Sequence, residues 1–172
     1  MPRHASIETV GSDKIRQLAR WWQGARNGRG LPDRADFDPA HWKPLLPYIL
    51  LAEGGGNPFR VRYRLVGTAV VYVVGFDFTG EYLDVMLAAD AGEDWIGNYR
   101  TAYETALPVY GVATVPTLHG DPFDYWFGIF PLSLGGDAVA QFIGIEDYGA
   151  LQPRVQSTLL DLTIRHARKA SE

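Results

Sequence analysis

The chain has 172 residues, 47% of them hydrophobic and 21% charged, which fits one globular domain with extensions. It contains no cysteine, which excludes disulfides, thiolate metal sites, a cysteine nucleophile and a cysteinyl flavin adduct. Its net charge of -4 is uneven: residues 1–34 hold seven Lys/Arg against three Asp/Glu, residues 151–172 four against two, and the centre five against fifteen.

Along the chain, Ser12 to Asn27 reads as a helix, capped by Ser12, with Ile15, Leu18, Trp22 and Ala25 on one face and Gly28 and Gly30 as stops. Asp38-Pro39 opens a short helical segment through Trp42, which Pro44 and Pro47 keep short. Tyr48 to Glu53 is a first strand, and residues 54–58 (GGGNP) form a turn. From Phe59 the sequence alternates strictly, Phe59, Val61, Tyr63 and Leu65 against Arg60, Arg62 and Arg64, which is the period of a strand with one buried face. A short apolar helix, Thr68 to Val74, ends at Gly75. Asp90 to Leu107 is the longest helix of the middle, with Trp95, Tyr99, Ala102, Tyr103 and Ala106 on one side and Pro108 as its end.

Three strands close the domain, Val109–Leu118, Asp124–Leu134 and Val139–Glu146, with turns at His119-Gly120-Asp121 and Gly135-Gly136-Asp137. A last helix is expected over Val155 to Lys169. The fold class is α+β: five strands in the order 2-1-5-4-3 form one antiparallel sheet, with the middle helices on one face. The last hairpins are apolar on both sides, with Tyr125, Phe127 and Ile129 on one and Trp126, Phe130 and Leu132 on the other. The second face therefore requires a cover, from the N-terminal helix with Trp21 and Trp22, the C-terminal helix or a partner subunit.

These residues carry a resemblance. The strand and short helix RYRLVGTAV, then VGFDFTGEYLDVMLAADAGED ending in acids, after the entry strand LLPYI, is similar to the first half of a PAS domain. The long helix and three antiparallel strands complete the PAS order, and the likeness spans Trp42 to Asp147. It divides the chain into an N-terminal helical extension (1–41), a PAS-like domain (42–148) and a C-terminal helix (149–172). The resemblance implies a cupped sheet that encloses, with its helices, a small-molecule cavity, and a module that senses a ligand or mediates dimerisation. A photoactive flavin site would need a cysteine on the short helices, and a haem sensor a histidine on the long one; neither residue stands there. A non-covalent organic ligand, or none, remains, and no cofactor is named. With no attached output domain in the sequence, output is expected through a homodimer or a regulatory protein partner.

The ligand-binding candidates are Tyr63, Tyr99, Arg100, Tyr103 and Trp126, an aromatic lining with polar handles, facing one another across the interior. Arg60, Arg62 and Arg64 form either an anion-binding row or a solvated face paired with local carboxylates; the second reading is preferred. The four histidines are scattered without metal-ligand spacing. Glu146-Asp147 and Asp77 read as turn and cap residues. No nucleophile elbow, P-loop or dinucleotide fingerprint is present. The dispersed basic residues give no nucleic-acid surface. No membrane span or apolar leader is seen, so a cytoplasmic location is the default. The basic N-terminal helix is expected to pack on the sheet or a second subunit.

The expectation is a non-catalytic sensory or regulatory module with a cavity of roughly a few hundred Å³. A cone-shaped α+β enzyme resembling nuclear transport factor 2, with Asp124 and Tyr125 pressed into acid–base roles, is one alternative. A protein-interaction domain with a filled core is the other.

Overall fold

The computed structural model describes residues 3–87, 89–115 and 122–149. The chain opens with a short strand, β1 (Arg3–Ala5). Helix α1 (Asp13–Ala25) follows, its first turn closed by Ser12, whose hydroxyl accepts from the Ile15 N–H at 3.2 Å. Ile15, Leu18, Ala19 and Trp22 are its buried residues. Three single 3₁₀ turns come next, Arg34–Asp36, Pro39–Trp42 and Leu46–Tyr48. Asp33 and Asp38 start the first two by accepting from the N–H groups of Ala35 and Ala40, both at 2.9 Å.

Then come β2 (Ile49–Gly55), β3 (Arg60–Val66), α2 (Thr68–Val74), α3 (Leu83–Met86), α4 (Ala89–Thr105), β4 (Val109–Val115), β5 (Phe123–Leu132) and β6 (Gln141–Asp147). Gly75 ends α2 by taking φ 92°, a left-handed conformation that costs a glycine nothing, and its N–H donates to the Val71 carbonyl at 2.8 Å. The expected C-terminal helix over 155–169 and the turn at 119–121 lie outside the described residues.

The strands form one antiparallel sheet, ordered β1-β4-β5-β6-β2-β3. The five expected strands keep their expected neighbours, and the correction is a sixth. Residues 3–5 pair with β4, Arg3 opposite Val112 and Ala5 opposite Tyr110. Three residues are too few to show an alternation, and this strand exists only because β4 offers it an edge.

A second correction concerns β3. Leu51 stands opposite Leu65 but Ala52 opposite Tyr63, so Arg64 is an extra, bulged residue. The alternation read from the sequence therefore holds only as far as Tyr63. Beyond the bulge the faces exchange: Leu65 is 47% exposed and Val66 is buried.

Register fixes which residues share a face. Phe127 stands opposite Glu146 and Ile129 opposite Gly144, while Trp126 stands opposite Asp147 and Phe130 opposite Ile143. Both faces are apolar, and both are covered. On the first lies α4, with Tyr99 and Ala102 buried and Trp95 edge-on to Phe127 at 4.8 Å between ring centroids. On the second lies α1, whose Trp22 Nε1 donates to the Pro131 carbonyl at 2.7 Å. Asp147 ties α1 to β6, accepting from the Ser12 hydroxyl at 2.6 Å and the Lys14 ammonium at 2.7 Å. The N-terminal helix thus supplies the cover that the two-sided strands demand.

Candidate functional site

A cavity of about 100 Å³ lies between the first sheet face and the helices that cover it. Val73 and Val74 of α2, Leu83 and Met86 of α3 and Trp95 of α4 form its apolar wall, with Phe78 and Leu87 from the connections. The sheet contributes Tyr63 from β3, Tyr125 from β5 and Glu146 from β6, and Tyr148 completes the lining. It is smaller than the few hundred Å³ expected, because the aromatic side chains that line it also fill it.

Among the described residues, Glu146 is the one acidic side chain in that wall. The period of two in β6 turns it inward, since Ile145 and Asp147 take the opposite face. The Tyr148 hydroxyl donates to its Oε2. It is half-buried and lines the cavity. Among the described residues, no lysine, arginine or histidine pairs with it. Burial pushes its carboxyl up to about 7, against the smaller opposing effect of the Tyr148 hydrogen bond.

Burial also raises the phenols around it. Tyr63, Tyr125 and Tyr148 are held well above the ordinary tyrosine range by burial first, and then by neighbouring charge that includes Glu146. Tyr99 is raised as well, chiefly by burial. These hydroxyls stay neutral, so Glu146 is the group of this cluster that titrates near neutral pH.

The structure divides the residues singled out from sequence. Tyr63 lines the cavity, and Tyr99 stands beside it, ring centroids 6.3 Å apart in an edge-on arrangement. Arg100 and Tyr103 do not face them. Burial of Tyr99 and Ala102 sets the inward stripe of α4, and at about 100° per residue the two flanking positions turn outward. Arg100 is exposed, its guanidinium 5.7 Å from the Phe59 ring, and Tyr103, 38% exposed, packs on Phe59 at 5.2 Å.

Trp126 lies on the other sheet face, where its indole would come within 2.9 Å of a Cβ placed on Gly11. Its neighbours Tyr125 and Phe127 take the inward positions instead.

The arginine row is a solvated face paired with local groups. Arg60 pairs with Asp84 at 2.8 Å and stacks over Tyr82 at 3.9 Å, Arg62 donates to the Gly80 carbonyl at 2.8 Å, and Arg64 pairs with Glu53 at 2.6 Å. Asp77 is a turn residue, its carboxylate accepting from the Thr79 N–H at 2.9 Å. Asp147 is a cap-like anchor; burial raises its carboxyl, but Lys14, Ser12 and the Gly149 N–H outweigh this and leave it lowered. Glu146 departs from its expected role as a turn residue. An acid at the inward phase of Phe142 and Gly144 on a largely apolar strand, with Asp147 taking the outward phase, was the signal available in the sequence.

A second hollow, about 380 Å³, lies on the other sheet face between the 3₁₀ turns and Ile49, Leu51, Leu65 and Ile143. Among the described residues no group of three or more His, Cys, Asp or Glu could hold a metal ion, and no helix is long and apolar enough to cross a membrane.

The arrangement of sheet, short helices, long helix and closing strands coincides with a family model described as PAS domain, which matches residues 10–146. The chain belongs to the PAS domain family. PAS domains are in general sensory, non-catalytic modules, and this PAS domain has the α+β architecture of that class. No curated protein matches the chain. Among solved structures it is similar to an RNA-binding light-oxygen-voltage receptor, with a TM-score of 0.48 and 16% identity over 77% of this chain. The PAS domain spans 37% of that receptor's length. It is also similar to the light state of the blue-light photoreceptor Aureochrome1 LOV, with a TM-score of 0.44 and 8% identity, covering 74% of this chain and 96% of that one.

Proposed function

We propose that this PAS domain senses a small, non-covalently bound organic molecule held in the cavity between β3, β5, β6 and helices α2 to α4, and does no chemistry on it. The observation that carries this reading is Glu146. A carboxyl group placed inside an apolar cavity, with one tyrosine hydroxyl as its hydrogen-bond donor among the described residues, lacks the partners that ordinarily accompany a buried charge. A bound molecule supplies them. The neutral phenols beside it add donors that orient a ligand but no second acid or base for a proton relay. The occupied state is passed on through self-association or a protein partner.

Native mass spectrometry of protein purified from its own cells, compared with the denatured chain, tests the proposal. The expected result is an excess small mass that is lost on denaturation and absent from a cavity-filling Val73→Phe variant. An excess mass retained by Val73→Phe places the ligand elsewhere, for instance in the second hollow, and overturns the assignment. No excess mass, together with no stabilisation by cationic, neutral or anionic small molecules, favours an interaction domain with a filled core. A ligand at 100 times its dissociation constant should add about 2.7 kcal/mol to unfolding. Light scattering of the intact chain across concentrations tests self-association. Deletion of residues 1–30 is the wrong variant for that purpose, since it removes β1 and the cover of one sheet face.

A further inference from the structure

We propose that the cavity is an aromatic cage for a small organic ammonium ion, with Glu146 as its counter-charge. This deepens the sensory reading above and rests on it. Three features of the wall select that chemistry. The first is charge: among the described residues the lining contains one carboxyl group and no basic side chain, which favours a cation over an anion. The second is the wall itself, which places the rings of Trp95, Phe78, Tyr63 and Tyr125 around the same small space as the carboxyl group. Aromatic faces carry negative potential and attract a desolvated cation most strongly where water is excluded.

The third feature is the state of the carboxyl group. Tyr148 donates to Oε2, and Oε1 accepts no hydrogen bond from the described residues, so one oxygen remains for an N–H or a cationic methyl group. Size narrows the class further. A cavity of 150 Å³ accommodates benzene, so one of about 100 Å³ suits a molecule of roughly four or five non-hydrogen atoms. An amino sugar, or an unbranched diamine of roughly six or more non-hydrogen atoms, is too large.

Proton linkage follows from the same geometry. Among the described residues, the titratable groups set around Glu146 are Tyr63 from β3, Tyr99 from α4, Tyr125 from β5 and Tyr148 beyond β6, and all four are neutral phenols. A cation entering the cage therefore displaces the proton of Glu146 itself. Binding should release up to one proton below neutral pH and tighten as the pH rises through about 7.

The test uses the intact chain with methylammonium chloride, tetramethylammonium chloride and tert-butanol, the last two matched in size. Isothermal titration at pH 6 and pH 8 is run on wild type and on Glu146→Gln. The expected result is that an ammonium ion binds, about tenfold tighter at pH 8 than at pH 6, as a group titrating near 7 requires. Glu146→Gln should weaken it at least tenfold and abolish the pH dependence, while tert-butanol binds no better than weakly to either protein. If tert-butanol binds wild type as tightly as tetramethylammonium, the cage does not select charge; the cation proposal fails and the sensory reading stands. If neither ammonium ion binds but pressurised xenon enters the cavity, the site is open to ligands yet rejects cations, and again the cation proposal alone fails. If xenon is excluded as well, the interior is filled, and both proposals fall together.

Discussion

Replacing Glu146 with glutamine should stabilise the protein, and only above a definite pH. In the unfolded chain this carboxyl titrates at its ordinary 4.5, and in the folded protein burial raises it to about 7. A group whose folded value is raised contributes stability that is fully present below the unfolded value and is lost as pH rises through the folded one. The window is therefore pH 4.5 to about 7. A gap of roughly two to three pH units corresponds to about 3 kcal/mol, since each unit is worth ~1.4 kcal/mol. Glutamine keeps the shape and the acceptor for the Tyr148 hydroxyl but carries no charge at any pH. Urea unfolding followed by tryptophan fluorescence, run on both proteins from pH 4.5 to 8.5, measures the difference directly. Subtraction cancels every other titrating group that the two proteins share. The variant should match wild type within about 1 kcal/mol at pH 4.5 and exceed it by about 3 kcal/mol above pH 8. A difference that stays constant with pH would refute this reasoning, because Glu146 would then ionise alike in both states.

Three further outcomes follow from the packing. Trp22→Ala removes a side chain that is 1% exposed, together with its hydrogen bond to Pro131, and should cost about 3–5 kcal/mol in urea unfolding. Gly67→Ala would set a methyl carbon 2.3 Å from the Pro47 carbonyl oxygen and 2.6 Å from that of Leu46. Both obstacles are backbone, so the junction of β3 and α2 must shift, at a cost of about 1–3 kcal/mol read as a lowered Tm. Arg60→Ala breaks an exposed pair with Asp84 and should change stability by no more than about 1 kcal/mol, an effect that 1 M salt largely removes in wild type.

Local chemistry determined most of the elements. Ser12, Gly75 and Pro108 mark ends that any chain with these residues would respect, and the apolar helix at 68–74 begins and stops where its flanking residues say. The paired rings of residues 125–132 demand two covered faces in any sheet they join, and α1 meets that demand. What the sequence could not carry depends on register and on relative rotation. The bulge at Arg64 exchanges the faces of Leu65 and Val66, and nothing in the alternating residues announces it, because a bulge is set by the partner strand. Trp126 and Tyr125 look alike as ring-bearing neighbours, but their phase against β6 sends one to the sheet face beside Gly11 and the other to the cavity. Glu146 read as a strand-end acid because Asp147 follows it directly at the end of β6. Only the packing of α2, α3 and α4 over that face buries it, and burial by residues distant in sequence is what turns an ordinary carboxyl into one that titrates near neutral pH.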